Sequence, residues 1–261
     1  MNLKNILKPL SSISENLAEF LFPPRCVICD KIYPKDSFKS KIYICDDCHK
    51  KVHFVRNFSS NCKKCSRPID SDSIICSVCQ VTKRHFDASF SCLIYEKDVR
   101  QSLLLYKFGE SQHKYRTFAE IMLAEMNNIS PFPKIDIICP VPLSKKRKRK
   151  RGFDHMASIA KYISSKTGLP LSLKAIKKLK DIPPQSKLSF KERQLSVGGA
   201  FKVTRPTDVS GKSVLLIDDI YTTGATTSEI SKILKRAGAK SVFVLTLCIT
   251  HKIDTGDDFK I

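Results

Sequence analysis

The chain has 261 residues, of which 42% are hydrophobic, and it carries a formal net charge of +21 at pH 7. This length accommodates one large or two smaller domains, and the apolar content is sufficient for a packed core. The charge indicates polyanionic partners such as nucleic acid, anionic lipid or phosphorylated metabolites, with a merely basic soluble protein as the alternative. No apolar run reaches the roughly 20 residues that span a bilayer, which argues against an integral membrane segment.

Residues 1–24 are predicted to form an amphipathic helix. Apolar side chains recur at helical spacing from Leu3 to Phe20, interrupted by Pro9. Polar residues such as Ser11 and Glu15 break any apolar region, so the segment does not resemble a secretory signal. Docking of this helix on the protein's own surface is favoured over contact with a membrane.

Residues 25–82 contain four CxxC pairs, which predict a double zinc ribbon. Each pair presents two thiolates, so four pairs predict two structural zinc ions with four thiolates each. Short loops favour pairing the first pair with the second and the third with the fourth, and pairing the first with the third is the alternative. Disulfides are disfavoured because a chain without a secretory signal is expected in a reducing compartment. The predicted ligands are Cys26, Cys29, Cys45, Cys48, Cys62, Cys65, Cys76 and Cys79.

Other residues of the metal-ligand types are expected to have no part in these sites. Four complete pairs leave no vacancy for His49 or His53, which are predicted to lie at the surface. The remaining cysteines, Cys92, Cys139 and Cys248, occur in apolar runs and are predicted to be buried packing residues.

Residues 83–261 alternate predicted strands with predicted helices. This alternation indicates the α/β class with a parallel, doubly wound sheet. Residues 168–205 are expected to hold irregular structure and a short antiparallel excursion. The strands are expected near 88–95, 135–139, 213–218 and 241–247, and the helices near 98–108, 115–127, 153–165 and 225–237.

Lys107 is predicted to end the first of these helices, with Gly109 as the stop. At this position the ammonium group has two possible roles. It is able to reach a pyrophosphate group, or it complements the helix dipole as an ordinary C-terminal lysine.

Seven consecutive basic residues follow the strand near 135–139. They cannot form a buried element, and they repel one another unless an anion neutralises them. Since α/β sheets place their ligand crevice at the carboxyl ends of the strands, the run is predicted to bind a phosphate chain there, with a solvated loop as the alternative. Phe153 either stacks on a base or begins the core of the next helix. The predicted DNA contacts are Lys145, Lys146, Arg147, Lys148, Arg149, Lys150, Arg151 and Phe153.

A second basic area covers residues 174–193. The rigid pair Pro183 and Pro184 precedes a predicted helix. Ser189 and Glu192 have the spacing of a capping box at its start.

The stretch "LLIDDIYTTGATT" joins a predicted buried strand to the last helix. The Thr222–Thr226 loop collects backbone N–H groups at the positive end of a helix dipole, and Gly224 permits close approach, so a phosphate monoester fits there. Asp218 and Asp219 would repel that phosphate unless sugar hydroxyls or a divalent cation lie between them. A ribose 5-phosphate satisfies both demands. The alternative is an ordinary Thr-rich turn with capping aspartates.

The order of these motifs resembles the ComF family of competence proteins. The matching pieces are "FPPRCVIC", the CxxC pairs, "YKFGE", "PVPL", "RGFD", "PPQSKLSFKER" and "LLIDDIYTTGATT", the last of which resembles the phosphoribosyl pyrophosphate (PRPP) motif of type I phosphoribosyltransferases. The resemblance implies a type I phosphoribosyltransferase-like parallel doubly wound sheet with a small N-terminal four-cysteine zinc-ribbon module. The chain has Asp154-His155 where the family usually has Asn-Gln, and Gln194-Leu195 where it often has Arg-Asn.

The resemblance also implies ligands and partners. Asp218 and Asp219 would contact the ribose hydroxyls of PRPP, which binds with Mg²⁺, and they would be the catalytic residues if transfer occurs. Three functions stay open: a cytoplasmic factor that binds incoming single-stranded DNA in natural transformation and retains PRPP binding, an active phosphoribosyltransferase of unknown acceptor, and a PRPP-sensing DNA-binding regulator. Other DNA-uptake proteins are expected partners, through which the protein would associate peripherally with the inner membrane. The implied PRPP-binding residues are Lys107, Val141, Pro142, Asp218, Asp219, Thr222, Thr223, Gly224, Ala225 and Thr226.

Overall fold

A computed structural model of the chain describes residues 23–33, 41–69, 73–109, 111–180 and 196–251. Nearly all of the predicted N-terminal helix, and the helix predicted to start at Ser189, lie outside these ranges. The helices are α1 Asp46–His49, α2 Ser77–Val81, α3 Lys97–Lys107, α4 Tyr115–Asn128, α5 Lys145–Arg151, α6 His155–Thr167 and α7 Ala225–Arg236. The strands are β1 Ala88–Ile94, β2 Ile137–Pro140, β3 Ile176–Lys178, β4 Phe201–Val203, β5 Ser213–Tyr221 and β6 Ser241–Ile249.

Four parallel strands form the central sheet in the order β1-β6-β5-β2. In this register Ile217 of β5 lies beside both Pro140 of β2 and Leu245 of β6. The parallel α/β sheet predicted from the alternation of elements is therefore confirmed. Parallel strands end at a common edge of the sheet, so the segments after β2, β5 and β6 meet there.

Side chains of the central strands alternate between two covered faces. Leu215 and Ile217 pack on the face that carries α3, α4 and α6, while Val214 and Leu216 pack on the face that carries α7. All four side chains are buried. A strand covered on both faces must be apolar at every position, which explains the unbroken "VLLI" run.

Strand β5 continues three residues past its predicted end at residue 218. Asp218 still pairs with Thr246, and Tyr221 pairs with Ile249. The backbone of Asp219 consequently belongs to a hydrogen-bonded strand, which fixes where its carboxylate points. The phosphate loop begins only after Tyr221.

The seven-residue basic run is helical, which corrects the alternative of a solvated loop. Ser144 caps α5 by accepting a hydrogen bond from the backbone N–H of Arg147 over 3.2 Å, and Gly152 ends the helix at φ 74°. None of the residues of α5 is buried, as predicted. Lysine and arginine have good helix propensity, and the Ser144 cap and the Gly152 stop define the two ends of the helix.

Strands β3 and β4 form the predicted antiparallel excursion, with Ile176 opposite Val203. Their apolar side chains join the cluster on the α7 face of the sheet. This pair lies beside the central sheet rather than within it.

The two ribbons flank strand β1. The N–H of Ile94 donates to His53 O over 2.9 Å, Phe54 bridges to Leu93, and the N–H of Ser89 donates to Lys64 O over 3.0 Å. The first ribbon shares the hydrophobic cluster of α3, α4 and α6, whereas the second shares the cluster of α7. Each ribbon is thus part of the packing on one face of the sheet.

Candidate functional site

The phosphate loop connects β5 to α7 at the carboxyl edge of the sheet. Gly224 is the N-cap of α7 and has φ 73°, a conformation that favours glycine. A Cβ at this position would lie 2.2 Å from the hydroxyl oxygen of Tyr221, which is itself buried. Thr223 is 1% exposed. Position 224 therefore has no room for a side chain. The N–H groups of the first turn of the 12-residue helix α7 follow directly, and such groups at a helix N-terminus favour binding of an anion.

The acidic pair adjoins this loop and has an asymmetric environment. Asp218 Oδ1 accepts a hydrogen bond from the backbone N–H of Asp219 over 2.9 Å. Asp219 Oδ2 lies 2.8 Å from Lys107 Nζ and 2.7 Å from His155 Nε2. The two carboxylates are adjacent in sequence, yet only Asp219 contacts these two basic groups.

This asymmetry separates the pKa values of the pair. Burial, followed by the charge of Asp219, raises the pKa of Asp218 to about 7. Burial also favours protonation of Asp219, but the Lys107 ammonium and the His155 hydrogen bond outweigh it and hold the pKa of Asp219 well below its usual range. One member of the pair is therefore ionised at neutral pH, and the other titrates near neutrality.

His155 is a functional candidate that the sequence patterns did not single out. It begins α6, is 2% exposed, and its carbonyl oxygen accepts a hydrogen bond from the Tyr106 hydroxyl over 2.6 Å. Arg151 Nη1 lies 3.2 Å from His155 Nδ1. Since guanidinium groups only donate, Nδ1 is the acceptor and the proton resides on Nε2, which donates to Asp219. Burial lowers the pKa of His155, which is consistent with a neutral ring.

Lys107 forms an ion pair that was not among its predicted roles, and its predicted contact with a pyrophosphate group stays a prediction. It ends α3 as expected, but its ammonium group forms an ion pair with Asp219, and the two side chains are 12% and 18% exposed. The ammonium is thus held at the acidic pair, on the same edge of the sheet as the phosphate loop.

Val141 and Pro142 follow β2 at this edge. The N–H of Val141 donates to Ile217 O over 2.9 Å, which continues the β2–β5 ladder by one residue. Val141 is buried and Pro142 is partly buried. Their predicted contact with PRPP stays a prediction.

Helix α5 approaches the acidic pair through its last residue. Arg151 contacts His155 and also lies over the ring of Phe108, 5.6 Å from its centroid. Lys145, Lys148, Arg149 and Gly152 line an open depression of about 640 Å³.

Phe153 packs against the core, which was the alternative to its stacking on a base. Its ring meets that of Tyr106 edge to face at 5.7 Å, and it packs against the cluster of α3, α4 and α6. A partly buried ring in this environment has little of its face available to a base, so the structure favours packing for Phe153 over the predicted DNA contact.

The eight paired cysteines form two clusters. Within each cluster the Sγ atoms all lie within 4.8 Å of one another. Tetrahedral coordination at 2.3 Å places neighbouring sulfurs about 3.8 Å apart, and Cys29–Cys45 and Cys65–Cys76 Sγ distances are 3.9 and 3.8 Å. The donor sets therefore fit zinc. The first cluster is Cys26, Cys29, Cys45 and Cys48, and the second is Cys62, Cys65, Cys76 and Cys79, which confirms the predicted sequential pairing.

The remaining predictions on cysteine and histidine agree with this arrangement. Cys92, Cys139 and Cys248 are buried, and His49 and His53 are exposed. His53 contacts Glu96 outside the clusters.

Two family models match the chain: a double zinc ribbon domain over residues 17–80 and a phosphoribosyl transferase domain over residues 117–260. The chain is 27% identical over 210 residues to DNA utilization protein YhgH of Salmonella typhi, covering 79% of this chain and 90% of that protein. It is 28% identical over 242 residues to competence protein ComFC of Bacillus subtilis, covering 85% and 93%. It is 24% identical over 215 residues to competence protein F of Haemophilus influenzae, covering 77% and 94%.

None of the helices in the described part of the chain is a candidate membrane span. There, no helix combines the length and the hydropathy that crossing a bilayer requires.

Proposed function

Because the chain belongs to the ComF family of competence proteins, within the phosphoribosyl transferase domain family, we propose that it binds PRPP at the acidic pair and single-stranded DNA along α5. The observation that carries this proposal is a chain of hydrogen bonds. It runs from Arg151, the last residue of α5, through His155 to Asp219. The cationic helix and the acidic crevice are thereby in direct contact.

The PRPP part of the proposal rests on the loop and the acidic pair. The 5-phosphate of PRPP would bind the N-terminal turn of α7, where Gly224 lets the backbone approach closely. Ribose hydroxyls would donate to the carboxylates of Asp218 and Asp219, which lie near the end of β5 just before the loop. Thr222, Thr223, Ala225 and Thr226 complete the proposed phosphate site.

Mg²⁺ would enter with PRPP. Oxygen ligands suit this ion, and the pyrophosphate of PRPP supplies several of them. Asp218 is the carboxylate that would face the ion, since Oδ2 of Asp219 already has two basic neighbours. The ion would neutralise charge on the pyrophosphate group.

The DNA part rests on the charge and exposure of α5. Its seven residues are all basic and none is buried, and the mutual repulsion of so many cations on one short helix favours binding of a polyanion. The relatives are named for competence and DNA utilization, and the polyanion expected in these processes is a DNA strand. We place this role in the cytoplasm, with other DNA-uptake proteins as partners that would bring the protein to the inner membrane.

A second candidate function is phosphoribosyl transfer. It is favoured by the low pKa of Asp219, because an ionised carboxylate beside the ribose would stabilise positive charge developing on the sugar. The bond from C1 of ribose to pyrophosphate would break, a bond from C1 to the acceptor would form, and the acceptor's proton would go to a base. Pyrophosphate release from PRPP with a panel of acceptors, abolished by Asp219→Asn, would establish this function.

The DNA contact is tested by removing three exposed charges from α5. In the triple variant Lys145→Gln, Lys148→Gln and Arg149→Gln, affinity for a fluorescent single-stranded oligonucleotide should fall, and the salt slope should shrink by about 2. The control removes Lys134, Lys212 and Lys240, which precede β2, β5 and β6 at the opposite edge of the sheet. Equal losses in both variants would refute a specific role for α5.

PRPP binding is tested by calorimetry with Mg²⁺ present, on wild type and Asp219→Asn. Binding by wild type alone supports the proposed crevice. Equal binding by both proteins places the ligand elsewhere. A duplex oligonucleotide preferred over the single strand would instead favour the PRPP-sensing regulator.

A further inference from the structure

Arg67 belongs to the second ribbon, yet its side chain ends at the phosphate loop. It follows Cys65 by two positions and is 5% exposed. Arg67 Nη2 donates to Thr222 O over 2.6 Å, and Nη1 donates to His251 O over 3.1 Å and also to Thr250 O. One guanidinium therefore connects the ribbon to three backbone carbonyls at the carboxyl edge of the sheet.

These carbonyls belong to two different segments. Thr222 is the first residue after β5, whereas Thr250 and His251 follow β6. The planar fork of arginine is able to donate to both segments at once, and a lysine ammonium lacks that geometry. Arg67 thus fixes the start of the phosphate loop relative to the neighbouring strand.

Two residues that follow the second ribbon contact the elements on either side of the loop. The backbone N and the Nδ1 of His85 each lie 3.2 Å from Ser228 Oγ, in the first turn of α7. The ring of Phe86 meets that of Tyr221 edge to face at 6.2 Å. The second ribbon and the residues that follow it therefore contact both elements that the loop connects, the end of β5 and the first turn of α7.

The first ribbon is attached elsewhere. The Ser102 hydroxyl of α3 donates to Val27 O, and Lys114 Nζ lies 3.4 Å from Asp30 Oδ1. The two zinc clusters thus have distinct attachments, and the first provides an internal control for the second.

We propose that the second zinc ribbon is part of the PRPP site and that Arg67 is a positioning residue for the phosphate loop. Arg67 holds the Thr222 carbonyl, and the loop amides that follow are thereby set for the 5-phosphate. The cluster of Cys62, Cys65, Cys76 and Cys79 fixes the place of Arg67. This inference rests on the proposed function, since it names a residue that prepares the same site.

Linkage gives a test on the wild-type protein. If the ribbon holds the loop, a ligand that needs the loop must in turn stabilise the ribbon. Zinc-loaded protein is treated with a chelator and N-ethylmaleimide, with and without Mg²⁺ and PRPP, and alkylation is followed for each cysteine peptide by mass spectrometry. PRPP should slow alkylation of the second cluster about fivefold and leave the first cluster unchanged.

The outcomes distinguish this inference from the proposed function. PRPP that binds but protects both clusters equally, or neither, overturns the role of the second ribbon alone. Absence of PRPP binding overturns the proposed function and this inference together.

Substitution of Arg67 gives a second test. Arg67→Ala should bind PRPP about tenfold more weakly while keeping two zinc ions, and millimolar guanidinium chloride should restore affinity in this variant alone. Arg67→Lys should not restore it, because the fork is missing. The control is Arg25→Ala, since Arg25 Nη1 donates to Asp30 O within the first ribbon over 3.3 Å. Wild-type affinity in zinc-loaded Arg67→Ala overturns the inference.

Discussion

His155 Nε2 lies 2.7 Å from Asp219 Oδ2, although 64 positions separate the two residues in the chain. The histidine receives a hydrogen bond from Arg151 on one ring nitrogen and donates to Asp219 with the other. A carboxylate that is fixed before its ligand arrives loses less conformational freedom on binding. We therefore expect His155 to be a determinant of the affinity of the crevice for PRPP.

Replacing His155 tests whether its two hydrogen bonds hold Asp219 in place. Glutamine has both a donor and an acceptor, so His155→Gln should retain PRPP affinity to within about threefold of wild type. His155→Ala loses both bonds and should bind about tenfold more weakly. Calorimetry with Mg²⁺ and PRPP measures the difference, and circular dichroism checks that both variants are folded. Equal affinity of the alanine variant and wild type would exclude a positioning role for His155.

The raised pKa of Asp218 predicts a pH-dependent stability. Its folded pKa, about 7, exceeds the unfolded value, so protonation stabilises the fold at low pH and this stabilisation is lost as pH rises through about 7. Asparagine mimics the protonated form. Asp218→Asn should therefore gain about 2 kcal/mol of unfolding free energy relative to wild type between about pH 5 and pH 8, measured by urea titration.

Asp219→Asn is the matched control for this pH dependence. Lys107 and His155 hold the pKa of Asp219 below its usual range, so Asp219 stays ionised throughout the titrated interval. Removing the Asp219 charge also lowers the pKa of Asp218 in part, so this variant should gain stability relative to wild type over the same pH interval by less than Asp218→Asn does. A pH-independent offset for Asp218→Asn would contradict the separation of the two pKa values.

Gly224 is predicted to tolerate no side chain. In Gly224→Ala the new Cβ would meet the hydroxyl and the ring of Tyr221 at 2.2 and 2.5 Å, at a φ of 73°. The loop must shift, so PRPP affinity should fall by more than about tenfold in calorimetry. Gly211→Ala is the control, because Gly211 has φ 72° but nothing within 4 Å of the added Cβ. Comparable losses in both variants would mean that backbone strain, not the contact with Tyr221, is responsible.

Zinc removal is predicted to destabilise the phosphoribosyl transferase domain together with the ribbons. Val27 and Ile44 of the first ribbon pack in the cluster of α3, α4 and α6, and Val78 of the second packs in that of α7. Chelation should lower the thermal midpoint by more than about 5 °C, and restored zinc should reverse the shift. Elemental analysis should find two zinc ions per chain. Fewer ions, or an unchanged midpoint, would contradict this account.

Local patterns predicted the central sheet well because each strand has its own apolar signature. The strands and the four long helices lie within three residues of their predicted bounds, and β5 exceeded its prediction because Tyr221 still pairs with Ile249. The CxxC spacing likewise predicted both cysteine clusters, because the loop between two consecutive CxxC pairs is short and therefore costs little entropy to close. In these cases the decisive interactions lie within a strand, a helix or a short loop.

The contacts that complete the site could not be predicted in this way. Arg67 and Thr222 lie 155 positions apart, and no sequence pattern around either residue indicates that they touch. Helix α5 has no apolar stripe, so its sequence showed only charge. His155 carried one usable signal, a histidine at the start of a helix beyond the carboxyl end of a central strand, where ligand crevices form.

The pairing of His53 and Phe54 with β1 has a consequence for solubility. An unpaired outer strand offers a row of backbone donors and acceptors to other molecules, and proteins that expose one tend to aggregate. Here the segment between the zinc clusters covers the outer side of β1. Loss of zinc would release this segment and expose β1. We therefore expect the protein to aggregate through pairing of β1 strands in a cell that is short of zinc.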